Sequence, residues 1–120
     1  MKKAYRIKKN EEFASIIGKK HSLSSANFIV YYYNKASNSN ARVGISVSKK
    51  LGDAVHRNKY KRQIRQMCMT LIDYENCPID IIVIARKPYL ENEYADNLAD
   101  LEKLLKKAII KKYEKGEIHE

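Results

Sequence analysis

The 120-residue chain has two cysteines, two prolines, four glycines and no tryptophan, and its first 65 residues hold only three acids. Cys68 and Cys77 stand without a CxxC pair or histidine spacing, so neither a disulfide framework nor a zinc site is available to hold the fold; free thiols in a reducing cytosol are expected. The absence of a repeat or a biased tract excludes solenoid and low-complexity architectures. No stretch reaches the roughly 18 consecutive apolar residues of a membrane span. The opening Met1-Lys2-Lys3-Ala4-Tyr5-Arg6 has no apolar run behind it, so neither a signal peptide nor an anchor is expected, and a cytoplasmic location is. His21, His56 and His119 are scattered and no acidic pair accompanies them, which argues against a protein-only, metal-dependent nuclease.

What is abundant is positive charge, +10 net with a pI near 9.6. It is unevenly placed: residues 1–65 carry 16 Lys or Arg against Glu11, Glu12 and Asp53, a balance of +13, whereas residues 66–120 carry eight against 11 acids, a balance of −3. A solvated surface intersperses its signs, so the asymmetry points to one electropositive face in the N-terminal half and an anionic partner, nucleic acid first among the candidates.

The chain length and the 44% apolar share suit a single domain over residues 1–120. Asn10 is placed to cap a short helix with Glu11 and Glu12 in its first turn, Phe13, Ile16 and Ile17 on one face and Gly18 at its stop. Residues 28–33 and 42–48 are β-branched, aromatic or alternating, and predict two strands paired as a hairpin across the polar connection at 34–40. Asp53 caps a helix running to about Asp73. The apolar run at 79–85 predicts a central strand buried on both faces, ended by Arg86-Lys87-Pro88. A last amphipathic helix begins near Asn92, with Tyr94, Leu98, Leu101, Leu105 and Ala108 as its stripe. Helix, strands, helix, strand and helix make an α/β (α+β) two-layer sandwich, a small central sheet with helices packed on it.

At about 100° per residue, Arg57, Asn58, Lys61, Arg62 and Arg65 fall within an arc of about 140°, beside a separate arc of Tyr60, Ile64, Met67 and Leu71. The apolar arc packs on the sheet, so the cations project as a ridge. Residues 49–65 hold seven cations and one acid, Asp53, so no carboxylate on the helix relieves them. Arginine forks suit phosphate oxygens, and Asn58 suits a ribose or base edge. Alternation sends Ile29, Tyr31 and Tyr33 to one face of their strand; with Phe13 and Ile17 of the first helix, Ile29 and Tyr31 would line a groove suited to unpaired bases, or else all four belong to the core.

Residues 42–65, RVGISVSKKLGDAVHRNKYKRQIR, closely resemble the signature of the bacterial ribonuclease P protein subunit, in which a glycine-bearing strand leads through Ser-Lys-Lys to an Arg-Asn-Arg helix. The likeness extends to Arg6-Ile7-Lys8-Lys9-Asn10-Glu11-Glu12-Phe13, Phe28-Ile29-Val30-Tyr31 and Asp80-Ile81-Ile82-Val83-Ile84-Ala85-Arg86. Lys59 stands where the motif's second arginine is usual, Tyr60 where an aliphatic residue is, and Ile17 where an aromatic one is common. The resemblance implies an accessory to a catalytic RNA that removes the 5′ leader of precursor tRNA, an endoribonuclease holoenzyme with no catalytic residue and no metal ligand in the protein. It implies Lys49, Lys50, Arg57, Asn58, Lys59, Lys61, Arg62 and Arg65 on that RNA, Phe13, Ile17, Ile29 and Tyr31 on the leader, and Arg6, Lys8 and Lys9 as further basic contacts. Mg²⁺ held mainly by the RNA, and a left-handed crossover from residue 42 to 85, come with it. A ribosomal or assembly protein and a DNA-binding regulator are the rival readings; the second places its basic helix after a short helix and turn, which is not the order here.

Overall fold

The structure is a computed structural model and describes residues 2–35 and 39–117, with side chains described as far as residue 109; residues 36–38 of the polar connection, and His119, lie outside the described residues. Apolar at every position except Asp80, strand β4 (Ile79–Ala85) has no face to offer water, and it sits in the middle of the sheet. Strand β2 (Phe28–Asn34) flanks it antiparallel and β3 (Arg42–Ser46) flanks it parallel, while β1 (Ser22–Ser24) adds an edge to β2; the order is β1-β2-β4-β3. The expected hairpin of β2 with β3 is therefore wrong. A strand apolar on both faces belongs in the sheet's interior, where helices cover both faces, and β4 takes that place between β2 and β3.

On one face Phe28, Val30 and Tyr32 align across the register with Ala85, Val83 and Ile81, and Val43 continues the row on β3. Helices α2 (Ala54–Leu71) and α3 (Tyr94–Glu117) cover this face, α2 through Ile64, Met67 and Cys68 with Tyr60 and Leu71 half-buried, α3 through Leu101, Leu104, Leu105 and Ala108. Tyr94 is not part of that stripe: it opens the helix 39% exposed, and Asn97 is the buried residue of the first turn, donating from Nδ2 to the Tyr89 carbonyl at 3.1 Å. Burial pushes the Cys68 thiol up to about 12, which keeps it protonated.

The short helix α1 (Asn10–Gly18) lies on the opposite face, against β2 and β4, and seats Ile16 beside Ile7 and Ile82. Asn10 is its first residue rather than its cap. Lys9 occupies the cap, and its ammonium has no acceptor to give the free amides, so the carboxylates of Glu11 and Glu12 alone answer the positive helix end. Gly18 is the last residue of the helix, as expected; the residue that turns left-handed after it is Lys20, with φ of 61°.

Candidate nucleic-acid interface

The chain leaves β3 at Ser46, and the Ser48 hydroxyl accepts from the Lys50 amide at 3.2 Å to start a tight turn that leaves Lys49 and Lys50 exposed. Gly52 follows with φ of 151°, a conformation that a side chain resists, and its carbonyl accepts from Arg57 Nε at 3.2 Å. Asp53 then caps α2: its Oδ1 accepts from the His56 amide at 2.9 Å and pairs with His56 Nδ1 at 2.8 Å. The amide hydrogen bond, followed by the imidazole, holds this carboxyl below the usual carboxylate range. Thus the first turn of α2 is fixed in direction, with His56 occupied at its own cap.

From that start Asn58, Lys59 and Arg62 are exposed, while Arg57, Lys61 and Arg65 are half-buried. Lys61 and Arg65 share a groove with the N-terminal segment. Arg6 bridges Val43 in parallel and the Ile7 amide donates to the Val43 carbonyl at 3.0 Å, so residues 6–8 extend the sheet beyond β3. Ile7 packs with Ile16 of α1 and Ile82, and with Arg6 and Lys8 it lines a groove of about 250 Å³ shared with Lys61, Arg65, Phe13, Val43 and Ile45. Four cations and no acid line it. Burial first, then the nearby charge of Arg6, lowers the pKa of Arg65. Lys9, next in sequence, is exposed.

The face of the sheet that carries α1 consists of three cross-strand rows. Ser24, Ile29, Ile84 and Ser46 form one, Ser22, Tyr31, Ile82 and Gly44 the next, and Tyr33, Asp80 and Arg42 the last. Phe13 lies on Gly44 so closely that a Cβ there would stand 2.6 Å from its Cζ and 2.9 Å from Ile82 Cδ1. The glycine is required because α1 is seated on it. Phe13, Tyr31 and Ile84 pack half-buried on the Ile82 cluster; Ile29, paired with Ile84, is half-buried outside that cluster. Ile17 is half-buried on α1 but outside that cluster, where Ile16 takes the place in contact with the sheet.

The family model Ribonuclease P matches residues 1–109 of the chain. The chain belongs to the ribonuclease P protein family. It is 42% identical over 115 residues to the ribonuclease P protein component of Bacillus cereus (strain AH187), covering 96% of this chain and 100% of that one. With the ribonuclease P protein component of Bacillus anthracis (strain CDC 684 / NRRL 3495) the figure is 42% over 112 residues, 93% of this chain and 94% of the other. Among solved structures, the RNase P protein of Staphylococcus aureus superposes with a TM-score of 0.77 at 46% identity, covering 88% of this chain and 96% of its own. That of Thermotoga maritima superposes with a TM-score of 0.72 at 28% identity, covering 85% and 96%.

As a ribonuclease P protein component the chain is part of an endoribonuclease holoenzyme that serves tRNA 5′-leader processing, and it has an RNA partner. Among the described residues no helix is long and apolar enough to cross a membrane. The folded ribonuclease P protein brings together what the chain keeps apart: Arg6 and Lys8 reach Lys61 and Arg65 only because residues 6–8 run along β3. The polar, apolar, polar alternation of Arg6-Ile7-Lys8 is the sequence signal for that isolated bridge, and three residues are too few for it to stand out.

Proposed function

We propose that this protein docks on the catalytic RNA of ribonuclease P through α2 and holds the single-stranded 5′ leader of precursor tRNA on the sheet face beside α1. The observation that supports it most is the groove shared by Arg6, Lys8, Lys61 and Arg65, four cations with no acid among them and all but Lys8 half-buried, continuous through Phe13 with a half-exposed apolar face. Phosphates of a folded RNA supply the missing counter-charge to Lys49, Lys50, Arg57, Lys59, Lys61, Arg62 and Arg65, and Asn58 adds a donor and an acceptor. Phe13, Tyr31 and Ile29 present flat or broad apolar surface to unpaired bases, with Ile17 at the margin and the hydroxyls of Ser22, Ser24 and Ser46 facing the same side. Lys8, Lys9 and Arg6 carry the backbone between the two surfaces.

The residues around α2 do not fit a resident divalent ion. Asp53 is the one acid there and is engaged with His56, and among the described residues no three His, Cys, Asp or Glu side chains gather as ligands. The Mg²⁺ of the reaction belongs with the RNA in this reading, which assigns the protein no catalytic residue and a place in the cytoplasm.

Two substitutions separate the surfaces. Arg62→Ala, at an exposed position of α2, is expected to weaken binding to the RNA and to lower the slope of log K against log salt by about one. Tyr31→Ala is expected to cost about 1–3 kcal/mol of affinity for leader-bearing precursor tRNA and nothing for mature tRNA. Equal weakening of both tRNAs in a holoenzyme titration rejects the leader assignment.

A further inference from the structure

The row of Tyr33, Asp80 and Arg42 holds charges that the RNA contacts do not use. Asp80 sits in the central strand with its side chain 6% exposed, accepting from Arg42 Nε at 3.1 Å, Arg42 Nη2 at 2.9 Å and Lys35 Nζ at 2.7 Å. Two oxygens thus anchor one edge of the guanidinium to the sheet. Its remaining nitrogen, Nη1, reaches off the sheet to Glu12 Oε2 at 2.7 Å, on the first turn of α1. Two acids and two cations close the set with no net charge, so it offers no attraction for an anion.

The bracket sits where α1 is weakest. A helix of nine residues is too short to persist unaided, and this one has no side-chain cap and a single fully buried residue, Ile16. Glu12 is the residue before Phe13, and Arg42 is two before Gly44 on the same face of β3, so the ion pair and the ring-on-glycine contact are adjacent fasteners. Losing the first frees the helix end that sets the height of the second.

We propose that Glu12 is a positioning residue for leader binding, acting through Arg42 and Asp80 to hold α1 so that the Phe13 ring stays on Gly44 and the groove keeps its width. This rests on the reading of that face as the leader site. It makes a prediction opposite in sign to simple electrostatics: Glu12→Gln removes a negative charge from a protein that binds polyanions, which alone tightens binding, whereas a lost positioning contact weakens it.

The test measures, for holoenzyme assembled on a bacterial ribonuclease P RNA, the ratio of affinities for precursor tRNA with a leader and mature tRNA, with wild type, Phe13→Ala, Glu12→Gln and the double variant. Glu12→Gln is expected to lower the ratio about fivefold while affinity for the RNA subunit, which depends on α2, changes less than about twofold and confirms that the variant is folded. In the Phe13→Ala background the same substitution is expected to change nothing further, since the residue it positions is gone. A ratio unchanged or raised by Glu12→Gln while Phe13→Ala lowers it overturns the proposal, as do effects that simply add. No fall with Phe13→Ala instead overturns the leader reading itself.

Discussion

Gly44→Val will unseat α1 and abolish the preference for leader-bearing substrate while sparing affinity for the RNA subunit. Valine is an ordinary residue for a parallel strand, so backbone preference does not oppose it. Space does: the new Cβ would lie 2.6 Å from Phe13 and 2.9 Å from Ile82, whose side chain is fully buried in the middle of the sheet. Phe13, half-buried at the edge, gives way, and α1 lifts with it. Overpacking of this kind costs about 1–3 kcal/mol, measurable as a lower urea midpoint. The functional loss is expected to be the larger effect, because the ring and the groove width go together; α2, on the other face, keeps its grip on RNA. Retention of full leader discrimination by a folded Gly44→Val protein would contradict the seating of Phe13 described here.

Asp80→Ala is expected to be the more destabilising change, about 3 kcal/mol. It leaves Arg42 and Lys35, 28% and 17% exposed, side by side without the carboxylate that both face. Their partial exposure keeps the figure at the lower end for a broken buried pair, since water reaches both cations. Burial alone would raise the Asp80 carboxyl, but hydrogen bonds and charge from Arg42 and Lys35 outweigh it and hold the pKa below the usual carboxylate range. The same contact with Asp80, against opposing burial and helped by Glu12, raises the pKa of Arg42. A folded-state pKa below the unfolded one means that the stabilisation is fully present above the unfolded value of about 4 and disappears as the pH falls through the folded one. Denaturant midpoints for the wild type should therefore drop on acidification below about pH 4, and the Asp80→Ala protein should lose the part of that drop that Asp80 supplies. An identical acid profile in both proteins would show that the buried carboxylate is not linked to folding.

The elements with strong internal periodicity were legible in the sequence. Alternation separated the Ile29, Tyr31 and Tyr33 face of β2 from the other without saying which was core, and the fold buries Phe28, Val30 and Tyr32; the separated arcs of α2 put Ile64 and Met67 in the core, with Arg62 exposed and Arg57, Lys61 and Arg65 half-buried. Strand pairing was less so. The sequential neighbours β2 and β3 suggested a hairpin, yet the two-sided apolar pattern of β4, recognised as central, already called for a place in the sheet's interior. Strand β1, Ser-Leu-Ser, has no propensity to detect; pairing with β2 makes it a strand. The span of α1 was legible, from Asn10, which opens the helix where a cap was expected, to Gly18 at its stop. For the interface, the ridge on α2 could be read from residue spacing, whereas its completion by Arg6 and Lys8 depends on a backbone contact between residues 7 and 43 that no local pattern encodes. Likewise the bracket of Glu12, Arg42 and Asp80 joins three elements, and only the folded register brings them together.

The most direct test of a cationic helix gripping a catalytic RNA is the rate of 5′-leader removal from precursor tRNA by a bacterial ribonuclease P RNA at low Mg²⁺, with and without the purified chain. A marked rise in rate on adding the chain, weakened by Arg62→Ala and suppressed by added salt, is the predicted result. The same slow cleavage with and without the chain, at concentrations where the RNA alone is active in high Mg²⁺, would contradict it.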